Sequence, residues 1–367
     1  MKDIILILTN SIGGLYSFRR EVVEAIVDAG YEVIISAPEM GQKGDYFNKI
    51  GCQIVLMKFN RRGMNPIADI KQMLNYWKMI KRLKPIAVLT YTIKPNVYGG
   101  MACRICRVPQ LANITGLGDA VENGGLLQNV TTILYKIGIG KAKRVFFQNK
   151  SNRHFCIANG ITTEESMLLP GSGVNLKYHM YQPYPADDGK IKFLFIGRML
   201  KDKGIEEFLT AAQTIKSKHP NTEFQILGYV EGNYQKKLDS LVEQGVINFL
   251  GSSTDVRPYI AAVHCTIMPS YHEGMSNVNL ESAAAGRPVI TTNVPGCKET
   301  VDDGRTGYLV QARNVESLIE AVEKFLDLPY SQKVLMGQNG REKVETEFDR
   351  EIVVNAYLKE IETITNV

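Results

Sequence analysis

Lys192-Phe193-Leu194-Phe195-Ile196-Gly197-Arg198-Met199-Leu200-Lys201-Asp202-Lys203-Gly204 runs from an apolar strand candidate into a glycine turn that carries two spaced cations. A run this short, bounded by a turn, fits one buried strand. The turn then leads into a helical stretch. An earlier segment has the same form. Ile4–Leu8 leads into Asn10-Ser11-Ile12-Gly13-Gly14 and a helix pattern of Leu15, Phe18, Val22, Ile26 and Ala29 at three- and four-residue spacing.

Outward from these two units, short apolar runs alternate with amphipathic stretches. In the first half the strand candidates are Ile4–Leu8, Glu32–Ser36, Gln53–Met57, Ala87–Tyr91, Gln110–Asn113 and Arg144–Gln148. The pattern loosens after Pro170-Gly171-Ser172-Gly173, and Tyr181-Gln182-Pro183-Tyr184-Pro185 reads as a linker. It restarts with Lys192–Ile196, Glu223–Leu227, Ile247–Leu250, Cys265–Met268, Pro288–Thr291 and Gly307–Val310. Strand, helix, strand at this pitch predicts right-handed crossovers and parallel sheets covered on both faces. The expectation is an α/β chain of two Rossmann-like domains, residues 1–172 and 190–348, joined by a linker over 173–189. A last helix over 349–367 is expected to pack back on the first domain. Ligands of such sheets bind beyond the carboxyl ends of the strands, which predicts a site in a cleft where the two domains face each other.

The chain has 367 residues, 44% hydrophobic and 22% charged, which excludes wholesale disorder and small disulfide scaffolds. The longest apolar run, Ile4–Leu8, is far below the roughly 20 residues of a membrane-spanning helix. Met1-Lys2-Asp3 does not read as a signal peptide, so a cytoplasmic location is expected. The six cysteines are scattered, and Cys103-x-x-Cys106 has no second pair with which to hold zinc. No metal is expected. The net charge of +5 hides an asymmetry: residues 1–175 carry 22 basic and 12 acidic side chains, the remainder 21 and 26. The basic half predicts an anionic partner.

Three constellations carry chemistry. Glycines 13 and 14 let backbone amides approach an anion at a helix start, although a βα turn also uses glycine for packing alone. No Gly-Lys-Ser/Thr follows them and Gly-x-Gly-x-x-Gly is absent, against a P-loop or a dinucleotide fold. Arg198 and Lys203, beside a helix start, suit a diphosphate, although charged loops are often only solvated. In Pro269-Ser270-Tyr271-His272-Glu273-Gly274-Met275-Ser276-Asn277-Val278-Asn279-Leu280-Glu281, the two glutamates suit sugar or ribose hydroxyls. Asn277 and Val278 fall where free helix amides meet phosphate.

Gly-Arg-x4-Lys-Gly, then Glu-x7-Glu, then Ala-Gly-Arg-Pro-Val-Ile and Asp303-Gly304-Arg305-Thr306-Gly307-Tyr308-Leu309-Val310 together resemble a family 4 retaining glycosyltransferase of the GT-B fold. Tyr91-Thr92-Ile93-Lys94-Pro95-Asn96 and Asn113-Ile114-Thr115-Gly116-Leu117-Gly118 resemble the subgroup that extends lipid-diphosphate-linked saccharides for surface polysaccharides or glycans. The resemblance implies a UDP-sugar donor, a polyprenyl-diphosphate-linked acceptor and no metal or other cofactor. It makes Arg198, Lys203 and Glu273 the catalytic set, with Arg198 and Lys203 on the diphosphate and Glu273 on the transferred sugar. Glu281 would hold the ribose. Gly13, Gly14, Gly197, Gly274, Ser276, Asn277 and Val278 would complete the donor contacts.

Many relatives place a histidine near the sugar in the first domain. Here the first histidine is His154, on a solvated-looking helix face. Lys94, as a phosphate contact, and Asp119, as a hydrogen-bond acceptor for the incoming sugar, are the better candidates, with Asn113 and Thr115 beside them. His272 is read as orienting Glu273; His179, His219 and His264 are read as structural or exposed.

Two stretches account for the basic half. Arg61-Arg62 precedes Ile67, Ile70, Leu74, Trp77 and Ile80, interspersed with lysines. Leu126, Leu127, Val130, Ile133, Leu134 and Ile137 precede Lys141, Lys143 and Arg144. Such helices fit either a core or the inner face of an anionic membrane. A GT-B nucleotide-sugar epimerase and a basic nucleic-acid-binding protein are the alternatives. The second lacks any zinc-finger or RNP-like motif.

Overall fold

The computed structural model describes residues 2–41, 43–58, 65–117 and 125–365. The chain divides into two compact units: Met1–Ser172 with Arg350–Val367, and Gly173–Asp349.

The first unit is built on a seven-stranded parallel sheet of order β3-β2-β1-β4-β5-β6-β7. Its strands are β1 (Ile4–Leu8), β2 (Glu32–Ala37), β3 (Gln53–Leu56), β4 (Ala87–Tyr91), β5 (Gln110–Ile114), β6 (Arg144–Phe147) and β7 (Met167–Leu168). The apolar runs seen in sequence are these strands, and the reason is burial on both faces: every residue of β4 and β5 is buried. The two-residue strand β7 is too short to show a period in the sequence; it pairs with β6 at the sheet edge.

The second unit has a six-stranded parallel sheet of order β10-β9-β8-β11-β12-β13. It contains β8 (Ile191–Ile196), β9 (Thr222–Leu227), β10 (Ile247–Phe249), β11 (Cys265–Met268), β12 (Val289–Thr292) and β13 (Gly307–Val310). Phe193, Phe195, Phe208, Phe224 and Phe325 lie at the centre of its core. In each sheet the strand order reverses once, between β1 and β4 and between β8 and β11. A crevice opens at the carboxyl edge of each reversal. The two glycine turns singled out in sequence follow β1 and β8.

The final helix, Arg350–Thr365, belongs to the first unit. Val353, Val354, Tyr357 and Ile361 are buried in its core, with the Tyr357 ring 4.4 Å from that of Phe146. Ion pairs fix both ends: Arg350 to Glu21 at 2.8 Å and Arg144 to Glu360 at 2.9 Å. The helix before it, Tyr330–Glu347, instead packs in the second unit against the helix Asn277–Ala284.

Residues 173–189, read from sequence as a linker, are part of the second unit. Arg287 explains why. It is wholly buried, and its guanidinium donates to the backbone carbonyls of Gln182, Pro183, Ile260, Ala261 and Ala285 at 2.7–3.2 Å. Burial pulls its pKa down to about 10, with Tyr184, Tyr181 and Tyr330 opposing the shift. Removing the guanidinium strands several buried acceptors, each costing about 1–3 kcal/mol. Arg287→Met should therefore lower the unfolding free energy by at least about 3 kcal/mol, read as a shifted urea midpoint; an unchanged midpoint would contradict this role.

Candidate functional site

At the reversal between β8 and β11 the backbone is packed closely enough to require glycine. Gly204 adopts φ +71° at the start of the helix Ile205–Lys218, and a Cβ there would lie 2.1 Å from the carbonyl oxygen of Pro269. Gly296, at φ +84°, backs the carbonyl of Glu273 in the same way, at 2.2 Å. The first contact presses the turn after β8 against the loop after β11, and the second presses the loop after β12 against that same loop. Tyr271 fastens them further: its N–H donates to Asp202 and its hydroxyl to Glu207, at 2.8 and 2.6 Å.

The result is a half-buried ion pair in which Lys203 Nζ stands 2.5 Å from Glu273 Oε1. A cation suited to a phosphate and a carboxylate suited to sugar hydroxyls are thus side by side, although 70 residues separate them in sequence. Arg198 is more open, paired at 3.3 Å with the exposed Glu231. Ser276 caps the helix Asn277–Ala284 by accepting from the amide of Asn279. The next amide, of Leu280, goes to the Ser276 carbonyl. Among the described residues this leaves the amides of Asn277 and Val278 for an anion. One turn on, Glu281 follows Asn277 on the same helix face, roughly 6 Å along the axis. A phosphate and a ribose separated by that distance could be held by one helix.

Glu281 borders a cavity of about 240 Å³ lined also by Tyr178, His179, Asp255 and Arg257. His179, read from sequence as structural or exposed, is largely buried, with Nε2 4.0 Å from Glu281 Oε1. Arg257 stacks over the Tyr178 ring at 3.7 Å and holds Asp255 through hydrogen bonds of 2.7 and 2.8 Å. Those bonds keep the Asp255 carboxyl below its usual range. Tyr178, Asp255 and Arg257 carry no motif in the sequence, because Tyr178 lies 79 residues from Arg257 and meets it only when the chain folds.

In the first unit the corresponding crevice lies beyond β1 and β4. Gly13 and Gly14 fall in the first turn of the helix Ile12–Asp28, and Ser11 Oγ accepts from the Gly14 amide at 3.0 Å. The Gly14 amide is therefore already used within the chain. A Cβ on Gly14 would meet nothing closer than 3.5 Å, so the chain itself does not require glycine there. Lys94 is not a free cation: Asp69 holds it at 2.8 Å. Asn113 is wholly buried, and its carbonyl accepts from Asn96 at 2.9 Å. Neither side-chain amide atom of Asn113 has a partner among the described residues. Thr115 is exposed. Asp119 lies outside the described residues, as do Arg61, Arg62 and Gly118. Thr92, directly after β4, has φ +75°, a strained conformation for a β-branched residue. No residue type announces such a dihedral, so it was not legible in the sequence.

His264 is a structural histidine: buried, it accepts the Lys192 amide at Nδ1 from 3.1 Å. Cys103 is buried, and the Cys106 thiol is directed to the Trp77 carbonyl at 3.9 Å.

Residues 5–149 match the family described as glycosyl transferase 4-like, and residues 180–343 match glycosyl transferases group 1. The chain belongs to these glycosyltransferases. Along 96% of its length, and 96% of the relative's, this glycosyltransferase is 24% identical to an N,N'-diacetylbacillosaminyl-diphospho-undecaprenol alpha-1,3-N-acetylgalactosaminyltransferase of Campylobacter jejuni. It is 26% identical, over 94% of each chain, to the capsular polysaccharide biosynthesis glycosyltransferase CapM of Staphylococcus aureus. Its fold is shared with Anabaena HepE, solved in complex with UDP and glucose, with a TM-score of 0.77 and 17% identity over 99% of each chain. The glycosyltransferase resemblance and the two Rossmann-like domains read from sequence thus hold.

Gly14 gives the sharpest test of the first crevice. Alanine is the better helix former by up to about 1 kcal/mol, so Gly14→Ala should keep or raise the melting temperature. If a substrate phosphate approaches that turn, the same change should raise KM about tenfold or more, since each 1.4 kcal/mol of lost binding is tenfold. A KM equal to that of the unsubstituted enzyme would leave the turn as packing alone.

Proposed function

We propose that this glycosyltransferase moves a sugar, with retention of anomeric configuration, from a UDP-sugar to a polyprenyl-diphosphate-linked saccharide in surface polysaccharide or glycan synthesis. The observation that carries the reading is the Lys203–Glu273 contact, followed by a helix start where, among the described residues, the amides of Asn277 and Val278 have no acceptor. The Campylobacter relative is named for a diphospho-undecaprenol acceptor, the Staphylococcus relative for capsule synthesis, and the Anabaena neighbour was solved with UDP and glucose. These names support the acceptor and donor classes.

In this reading Lys203, Arg198 and the two amides bind the donor diphosphate. Glu281 accepts from the ribose hydroxyls, and Glu273, oriented by Lys203, accepts from the sugar. As the anomeric carbon–oxygen bond breaks, negative charge grows on the diphosphate, and the same cations and amides stabilise it. The acceptor hydroxyl attacks from the face the diphosphate is leaving and gives its proton to a diphosphate oxygen. No further side-chain base is then needed. With the leaving charge met by side chains and amides, the reaction requires no metal, and chelator should leave the rate unchanged.

Losing one such donor of positive charge costs on the order of a hundredfold in rate. Lys203→Ala should therefore reduce kcat by at least about that factor, while its partly exposed position leaves the melting temperature within a few degrees. Release of UDP from a panel of UDP-sugars should require a polyprenyl-diphosphate saccharide. UDP-sugar conversion without any acceptor would instead identify an epimerase.

The first domain is read as the membrane-facing one. Among the described residues no helix is long and apolar enough to cross a membrane. The helix Pro66–Leu83 divides its apolar residues: Tyr76, Met79 and Ile80 are buried, whereas Ile67, Ile70 and Leu74 are 81%, 58% and 43% exposed. The stripe expected from sequence is therefore core at one end and surface at the other. Ile133 and Ile137, on the helix Leu126–Ile139, are also exposed. Exposed isoleucines among lysines fit an interfacial surface on anionic lipid. Cosedimentation with anionic vesicles at low salt should be lost at about 1 M salt, where the Debye length falls to about 3 Å. An absence of binding at low salt would remove this assignment.

A further inference from the structure

A second basic site lies at the opposite edge of the first domain's sheet. The helices Gly100–Cys106 and Leu126–Ile139 pack together, and the chain beyond each leads to the start of a strand, β5 or β6. Their approach is closed by glycine. A Cβ on Gly100 would stand 2.0 Å from the Gly138 carbonyl oxygen, and one on Gly138 would stand 2.5 Å from Val97 Cα. Beside this crossing is a cavity of about 370 Å³ lined by Arg104, Arg107, Lys141 and Lys143, with Gln110 among its other lining residues.

The charge around it is one-sided. No acidic residue occurs between Asp69 and Asp119 or between Glu122 and Glu164 in the sequence. Among the described residues no carboxylate pairs with any of the four cations, and none lines the cavity. Two helix C-termini contribute about half a negative charge each, which leaves the four positive charges well in excess. The backbone that carries the cations has a defined course. The Lys143 amide donates to the Gln110 carbonyl at 2.9 Å, fixing the connection that carries Lys141 and Lys143. Arg107 adopts φ +57°, where glycine is the unstrained choice, at the end of its helix.

This cavity is not the crevice described above. Gln110 begins β5 and Ile114 ends it, so the two edges are separated by roughly 13 Å along the strand. The geometry points to a binding pocket for a phosphate group, separate from the sugar-transfer site. Ile105, which follows Arg104 in sequence, and Ile137, which precedes Gly138, are exposed on the two helices that carry those lining residues. A cationic pocket on helices that also expose isoleucines fits the phosphate of an acidic phospholipid headgroup at a membrane surface. The lipid source rests on the membrane-facing reading of this domain; the phosphate pocket does not.

The test compares phosphatidylcholine vesicles containing phosphatidic acid or phosphatidylglycerol at matched surface charge. The enzyme should bind the phosphatidic acid vesicles at least about fivefold tighter, the factor one cation supplies near such a surface. Arg104→Gln/Lys143→Gln, at exposed positions, should abolish that preference. Lys71→Gln/Lys78→Gln, which removes the same charge from the helix Pro66–Leu83, should weaken binding to both vesicles by one common factor. Inorganic phosphate at millimolar concentration should raise the melting temperature of the unsubstituted enzyme more than that of the Arg104/Lys143 variant, which keeps the diphosphate site of the second unit. No preference together with equal phosphate-dependent shifts in enzyme and variant overturns the pocket. A larger shift in the unsubstituted enzyme without vesicle binding keeps the pocket and overturns the lipid source, and with it the membrane-facing reading.

Discussion

In a parallel sheet every strand is entered from the same edge, so the connections that leave the carboxyl ends gather on one side. Where the strand order reverses, those connections diverge and leave the backbone open between them. Both domains of this glycosyltransferase depend on that constraint, at β1/β4 and at β8/β11. The second reversal is drawn tight by backbone approaches that only glycine allows. Gly204 meets Pro269, Gly296 meets Glu273, and a Cβ on Gly228 would stand 1.8 Å from the Gly197 carbonyl oxygen. Lys203 and Glu273 meet because these loops cannot move apart without losing their packing.

The same residue type serves two purposes according to its burial. Arg198 sits at the open end of β8 with one exposed acid beside it, so its charge is available to a ligand. Arg287, in the Ala-Gly-Arg-Pro segment, is wholly buried and spends its donors on backbone carbonyls. It makes residues 173–189 part of the second domain. A buried cation without a carboxylate is tolerated there because five carbonyl dipoles take the place of water.

Strand positions were legible because doubly covered strands are continuous apolar runs, and Ile4–Leu8, Ala87–Tyr91, Cys265–Met268 and Gly307–Val310 were read with the bounds the structure shows. The Glu-x7-Glu and Arg-x4-Lys spacings were legible because one continuous loop-and-helix segment and one turn carry them. The pairing of Lys94 with Asp69, the strain at Thr92 and the short strand β7 were not. An ion pair depends on which elements become neighbours. A dihedral has no residue signature when glycine or asparagine is absent, and a two-residue strand has no period.

The modest net charge divided the same way. Sequence alone established a basic first half and an acidic second half, because charge is a property of composition. It also determined the fold class and the residue types available for diphosphate and sugar. Tertiary structure decided which charges are engaged. Lys203 is paired across 70 residues and Lys94 is held by Asp69, whereas Arg104, Arg107, Lys141 and Lys143 line one cavity with no acid among its described lining residues. That sorting could not be read along the chain, because electrostatic partners are set by distance in space, and the order of residues fixes that distance only within a single turn or helix.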